Sequence, residues 1–248
     1  MIRAILDVLI LTFFLILSLP GKWLVFLLRK TGHYDAGNKL AKFCAGILFD
    51  LLRIASGVKL TVRGEENLTR DEGVLYVGNH CSYFDIVLSF CAFKTCTGYI
   101  GKKELGRYPL FNTWMLAIGC IFLDRDNPRD GIRMVNEAVD HIAHKNSMCI
   151  FPEGTRNRNE KKQLLGEFHH GSLRIASKAG CKVVPMAISG TAEIFENHIP
   201  FIKSTPVIIE FAKPIETADM DRAQLKKLPD MCVEAITKMR LEHIKELQ

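Results

Sequence analysis

The 248-residue chain predicts an α/β fold, a single mixed sheet covered by helices on both faces, with an apolar helical segment ahead of it. Three observations carry that expectation. From residue 58 onward, strand-like and helix-like stretches alternate regularly. A hydrophobic content of 48% over this length suffices for one generous domain, and no internal repeat or low-complexity stretch divides it. Residues 4–28 are mostly apolar, with no matching pattern of alternation. The chain therefore reads as one domain plus an appendage: N-terminal membrane-associating helices over residues 1–57, then an α/β domain over residues 58–248.

In the appendage, a run from Val8 to Leu17, apolar but for Thr12, is followed by Pro20-Gly21-Lys22 and then by Trp23 to Leu28. A spanning helix needs about 20 predominantly apolar residues, and Pro20 interrupts this stretch. A single kinked span and a pair of helices lying in one leaflet both fit. The second is favoured because Arg3, Lys22, Trp23, Arg29 and Lys30 supply the basic and aromatic anchors of an interfacial segment. In either arrangement, the positive charge after the apolar stretch places the downstream domain on the cytoplasmic side. Residues 37–56 carry apolar residues at helical spacing, as a core helix or the floor of a membrane-facing site would.

Strands are expected at Val58–Val62, Gly73–Val77, Gly98–Gly101, Ile121–Leu123, Met148–Phe151, Val183–Ile188 and Val207–Phe211. Helices are expected at Asp85–Phe93, Tyr108–Gly119, Arg129–Lys145 and Gly171–Ala179, with a last one from about Leu228 to the end. The formal net charge of +6 suggests affinity for anions: nucleic acid, lipid headgroups or phosphorylated small molecules. The basic residues form no long run, and neither zinc-finger spacing nor an RNP-like aromatic pattern is present, so nucleic acid is not expected. None of the eight cysteines forms a C-x-x-C pair, which suits a reducing compartment. No His/Cys/Asp/Glu group has metal-ligand spacing, so no metal is expected.

The chemistry concentrates at strand ends, where an open α/β sheet presents its ligand crevice. Asn79-His80-Cys81-Ser82-Tyr83-Phe84-Asp85 follows the second strand. Histidine, with an unperturbed pKa of about 6.5, can exchange a proton near neutral pH, and an aspartate can fix its tautomer. On one straight helix, residues five apart point roughly 140° away from each other, so the pair must straddle the strand-to-helix bend. Taken alone, the pair also fits a capped helix with a structural histidine. Lys102 and Arg125 lie at the two ends of a helix and strand; Phe151-Pro152-Glu153-Gly154-Thr155-Arg156 leaves another strand, with Gly154 permitting close backbone approach and Arg156 able to fork onto phosphate. Val183-Val184-Pro185-Met186 forms a fourth block.

In this order the four blocks resemble those of the glycerolipid acyltransferases, and most closely the 1-acyl-glycerol-3-phosphate (lysophosphatidic acid) acyltransferases. The likeness covers roughly residues 73–190. Asn79-His80-x4-Asp85 matches the first block; Lys102, Leu105, Pro109, Gly119 and Phe122-Leu123-Asp124-Arg125 the second; Phe151 to Arg156 the third; Val184-Pro185 the fourth. Phe168-His169-His170-Gly171 departs from the pattern, which usually has Lys after Phe, and a neutral histidine there weakens any fixed-charge grip on an anion.

The resemblance implies transfer of a fatty acyl group from a thioester, acyl-CoA or acyl-ACP (acyl carrier protein), to the free sn-2 hydroxyl of the lysophospholipid, giving phosphatidic acid, with no cofactor. His80 would act as base and Asp85 as its partner; Lys102, Arg125 and Arg156 would meet the phosphate, and Glu153, Gly154 and Thr155 would belong to the substrate-binding turn. The implied partners are membrane lipids and the acyl carrier, and the implied location is membrane-associated, with the site on the cytoplasmic side. A sister enzyme acting on glycerol-3-phosphate, another lysophospholipid or an acylated amino-acid lipid shares these motifs. A covalent route through Cys81 or Ser82 also stays open, as does a non-catalytic lipid-binding module, although a module would have no use for a paired base.

Overall fold

The computed structural model describes residues 1–159 and 163–247. Its strands are β1 (Lys59–Arg63), β2 (Leu75–Gly78), β3 (Thr97–Lys102), β4 (Ile121–Leu123), β5 (Ser147–Ile150), β6 (Val183–Ser189) and β7 (Pro206–Phe211). They form one sheet in the order β1-β7-β6-β2-β5-β3-β4. Every neighbouring pair is parallel except β6 with β7, so the sheet is mixed, as the alternation predicts. Strand β2 sits at the centre, between β5 and β6, and is buried along its whole length.

The two-residue period of a strand sorts side chains onto two cores. Tyr76, Val184, Met186 and Ile188 face one core, shared with α4 (Phe84–Ala92) and α5 (Phe111–Ala117). Leu75, Val77, Val183 and Ala187 face the other, shared with α6 (Pro128–Ala143), α7 (Arg174–Ala179) and α8 (Arg222–Leu247). Helix α6 starts where Asn127 Oδ1 accepts from Arg129 N at 3.1 Å, just ahead of a proline that suits a first turn.

Three helices differ from expectation, each for a local reason. Helix α5 begins at Phe111 because Leu110 has φ +66°, which no right-handed helix tolerates; residues Lys103–Arg107 form a separate 3₁₀ segment. The first turn expected for α7 is likewise 3₁₀, at His170–Leu173. Helix α8 begins six residues before Leu228. Asp221 Oδ1 caps the amides of Ala223 and Gln224 at 2.7 and 2.8 Å, while Gln224 Oε1 accepts from Asp221 N at 2.8 Å, a reciprocal box strong enough to start a helix ahead of Pro229.

Ahead of the sheet come α1 (Ile2–Leu17), α2 (Leu19–Lys30) and α3 (Tyr34–Ser56). Among the described residues no single helix is long and apolar enough to cross a membrane; α1 and α2 together reach that length and composition but are bent by 53°. Pro20, at the start of α2, suits a new first turn and not the continuation of α1. Helix α1 buries no residue, and Ile2, Val8, Phe13, Leu17 and Trp23 stand exposed. Yet these helices share the first core: Val25, Ala41 and Ala45 are buried in it, and the Phe14 ring lies 5.2 Å from that of Trp114. The appendage is thus packed onto one face of the sheet.

Candidate active site

Strands β2 to β6 run parallel to one another, so their carboxyl ends share one edge of the sheet. At the exit of β2, the buried Asn79 amide donates to Ile188 O at 2.9 Å and accepts from Ile188 N at 2.8 Å, tying the exit to β6. The backbone of His80 is then fixed from the β5 side. Its N–H donates to Glu153 Oε1 and its carbonyl accepts from Asn157 N, both at 2.7 Å. The imidazole stacks on Phe151, with ring centres 4.4 Å apart and planes 12° from parallel.

The bend that the spacing requires is present: Asp85 lies in the first turn of α4, and its Oδ2 stands 2.8 Å from His80 Nδ1. Asp85 is 0% exposed, and four donors meet its carboxylate. Oδ2 also accepts from Cys81 N and Ser82 N at 2.7 and 2.8 Å, and Oδ1 accepts from Thr191 Oγ1 at 2.5 Å. A carboxylate held by that many donors stays an acceptor, so the imidazole proton sits on Nδ1 and Nε2 is left with its lone pair. The arrangement can accept a proton at Nε2.

Glu153 is 6% exposed and does not face a ligand with its carboxylate; it clasps backbone, with His80 N on one oxygen and Gly166 N on the other at 2.7 Å. Burial pushes its carboxyl up, while those two N–H donors and the nearby Arg240 and His80 counteract the rise. Arg240 reaches in from α8, 2% exposed; it donates to Leu164 O and lies 3.8 Å from Cys81 Sγ. Gly154, at φ +68°, makes the turn that follows, and a Cβ there would meet the His169 ring at 3.1 Å.

The three expected cations occupy different surroundings. Arg156 donates to Glu196 Oε1 at 2.9 Å and stacks over the Tyr83 ring at 3.7 Å. Glu196 also accepts from Ser82 Oγ at 2.6 Å and from Tyr83 N at 2.8 Å, so a carboxylate of the chain itself fills an anion-shaped position at the start of α4. Arg125 instead lines a cleft of about 860 Å³ beyond the β5 exit, together with Glu153, Gly154 and Thr155. Lys102, exposed at the end of β3, lines neither place among the described residues. Thr191, Glu196 and Arg240 lie outside the motif blocks. Gly190-Thr191 directly after a strand is the one local signal that marks any of them. Cys81 is buried and Ser82 Oγ is committed to Glu196, an arrangement unlike an activated nucleophile. Among the described residues no group of three or more His, Cys, Asp or Glu side chains gathers to hold a metal ion.

A family model described as Acyltransferase matches residues 59–189. The 1-acyl-sn-glycerol-3-phosphate acyltransferase of Borreliella burgdorferi is 28% identical over 190 residues, 77% of this chain and 74% of that protein. The enzyme of that name from Escherichia coli K12 is 27% identical over 188 residues, 75% of each chain. The one from Cocos nucifera is 30% identical over 194 residues, of whose length the match spans 60%. The crystal structure of the 1-acyl-sn-glycerophosphate (LPA) acyltransferase PlsC from Thermotoga maritima superposes with a TM-score of 0.76 over 98% of this chain and 95% of that one; at 24% identity, this is a likeness of fold.

Proposed function

The chain belongs to the acyltransferase family, and from that premise we propose that it transfers a fatty acyl group from a thioester to the sn-2 hydroxyl of 1-acyl-glycerol-3-phosphate, with His80 as general base. One observation carries the residue assignment: a buried, fully bonded Asp85 at 2.8 Å from Nδ1 leaves Nε2 as the free basic atom at the strand edge. The names of the relatives support the acceptor.

Nε2 takes the proton of the acceptor hydroxyl as its oxygen attacks the thioester carbonyl. The tetrahedral adduct collapses, the C–S bond breaks, and the leaving sulfur recovers the proton from His80. Asp85 holds the imidazole and stabilises its transient charge; Glu153 holds the backbone on which the imidazole stands. Arg156 meets the acceptor's phosphate, which takes the place of the Glu196 carboxylate. Lys102, Arg125 and Thr155 line the approach at neighbouring strand ends. Residues 1–57 bring this domain to the bilayer, on its cytoplasmic side, where acceptor and product reside, and residues 58–248 carry out the transfer.

The test is turnover by the purified protein in vesicles holding lysophosphatidic acid, supplied in turn with radiolabelled acyl-CoA and acyl-ACP. Phosphatidic acid is the expected product; acylation of a different lysophospholipid in preference would overturn the acceptor assignment. Arg156→Ala should raise the acceptor's KM roughly tenfold or more with a smaller effect on the donor's, since the guanidinium fork serves the phosphate, and Arg156→Lys should recover part of the loss. Equal effects on both substrates would move Arg156 off the acceptor.

A further inference from the structure

The transfer chemistry above requires Glu196 to leave its place, and the segment that carries it reaches the same apolar surface as α1. We propose that Glu196 is an internal plug of the acceptor's phosphate seat: loop 195–202 holds it in place away from a bilayer and withdraws it when the loop's apolar tip, Ile199 to Phe201, enters one. The proposal rests on the reading of Arg156 as the phosphate's partner.

Competition is the first argument. The Glu196 carboxylate accepts from Arg156 Nη1, Ser82 Oγ and Tyr83 N at 2.9, 2.6 and 2.8 Å, and both side chains of the ion pair are largely buried. Those donors, at the start of α4, are the ones an incoming phosphate would take. Two anions cannot share them, because like charges so close repel strongly where little water screens them. The seat is therefore either plugged or loaded, and plugging lowers the apparent affinity for phosphate in proportion to the fraction of molecules left open.

The loop's architecture supplies the link to the membrane. Its ends meet: Lys203 N donates to Ile194 O at 2.9 Å, Ile194 is fully buried, and Phe195 and Ile202 pack against the core. What lies between faces outward. Ile199 is 65% exposed and Phe201 48%, and Pro200 lines an open apolar hollow with Met1 and with Ala4, Ile5, Val8 and Leu9 of α1. The tip thus continues the exposed apolar surface of α1. Exposed Lys203 flanks it in sequence, and the Arg3 guanidinium reaches Gly57, whose carbonyl accepts from Ser204 Oγ. Two cations therefore stand at the tip's margin, where they suit anionic headgroups.

Lipid fixes the direction of the change. Apolar area at the tip is buried in a bilayer to the extent that the tip reaches outward, so a lipid surface binds the extended loop more tightly than the retracted one and shifts the population toward it. Only Asn197 and His198 separate the plug from the tip, and so short a connection has little slack to absorb the movement.

The experiment measures acylation of a short-chain, water-soluble lysophosphatidic acid by the full chain, with the donor the parent accepts, before and after addition of acceptor-free vesicles of phosphatidylcholine and phosphatidylglycerol. In the parent, vesicles should lower the acceptor's KM roughly tenfold, the factor by which a plug seated about nine-tenths of the time weakens binding. Glu196→Gln, which removes the charge and keeps the side chain's size, should show the low KM without vesicles and gain little from them. Ile199→Ser/Phe201→Ser alters only exposed side chains; it should keep the high KM with vesicles present, while still sedimenting with them through α1 and α2. A parent KM that vesicles leave unchanged overturns the proposal. So does a Glu196→Gln variant whose KM rises in both settings, the outcome if the carboxylate only positions Arg156, or a tip variant that answers vesicles as the parent does. In each of these cases, phosphatidic acid made by the parent in lysophosphatidic acid vesicles leaves the acyl-transfer reading standing. A parent that makes none removes that reading, and the plug falls with it.

Discussion

The turn at residues 79–85 and the helix pair α1–α2 both invert the ordinary distribution of polarity, in opposite senses. In the turn, Asp85 is 0% exposed and Glu153, which holds it from below, 6%. In the helices, Ile2 is 84% exposed and Trp23 72%. A buried carboxylate is tolerable only where donors meet it, and the four that do so here hold the turn in one geometry with bonds of 2.5 to 2.8 Å. Exposed apolar surface places no such demand, because burial in lipid depends on area and not on direction. Loss of function should accordingly be abrupt in the first region and graded in the second.

The largest effects belong to the turn. His80→Ala should lower kcat by roughly 10²- to 10⁴-fold while leaving acceptor binding largely intact, and Asp85→Asn should do nearly as much through the tautomer. Activity within about tenfold of the parent would end the assignment of the base. Next comes Glu153→Gln. An amide nitrogen must then face the N–H of His80 or of Gly166, so one bond is lost, and kcat should fall roughly 10- to 100-fold with little change in either KM. A change in KM alone would place Glu153 on a substrate.

In the helices the response should be smaller. Trp23→Ser should weaken binding to anionic vesicles by roughly five- to tenfold, yet leave turnover of a short-chain, water-soluble acceptor unchanged. Equal loss on both acceptors would show that the helices shape the site itself. The smallest effect is expected at Asp7, the one acid in α1, which accepts from Ser56 Oγ at 3.0 Å. Burial raises its pKa from 3.8 to about 6, against the lowering by Ser56. An acid whose pKa is higher in the fold than in the unfolded chain binds its proton more readily when folded, so stability rises as pH falls through that window. Thermal unfolding at pH 4.5 and 7 should show a modest gain at the lower pH, and Asp7→Asn should flatten it.

What could be read from the sequence follows the same division. His80 and Asp85, and Phe151 to Arg156, are contiguous at strand exits, so their order along the chain already carries their chemistry. Thr191, Glu196 and Arg240 become part of the site only because β6 lies beside β2 and because α8 folds back behind Cys81. No local pattern encodes that adjacency. The same limit separates Arg125 from Arg156: residues expected to meet one phosphate stand on different sides of the β5 exit. The start of α8 was obscured by Pro229, a strong breaker, although Asp221 and Gln224 hold a capping pattern at the right distance ahead of it.

The central place of β2 has a consequence in time. Its two neighbours in the sheet, β5 and β6, lie 73 and 108 residues further along the chain at the registered pairs Leu75↔Met148 and Leu75↔Val183. During synthesis this buried strand therefore has no partner until residue 150 has been made and lacks its second until residue 189, a long interval of exposure for a segment prone to pair with other chains. His80 cannot settle before Thr191 and Glu153 arrive, so recovery of activity on refolding should trail the recovery of helix signal.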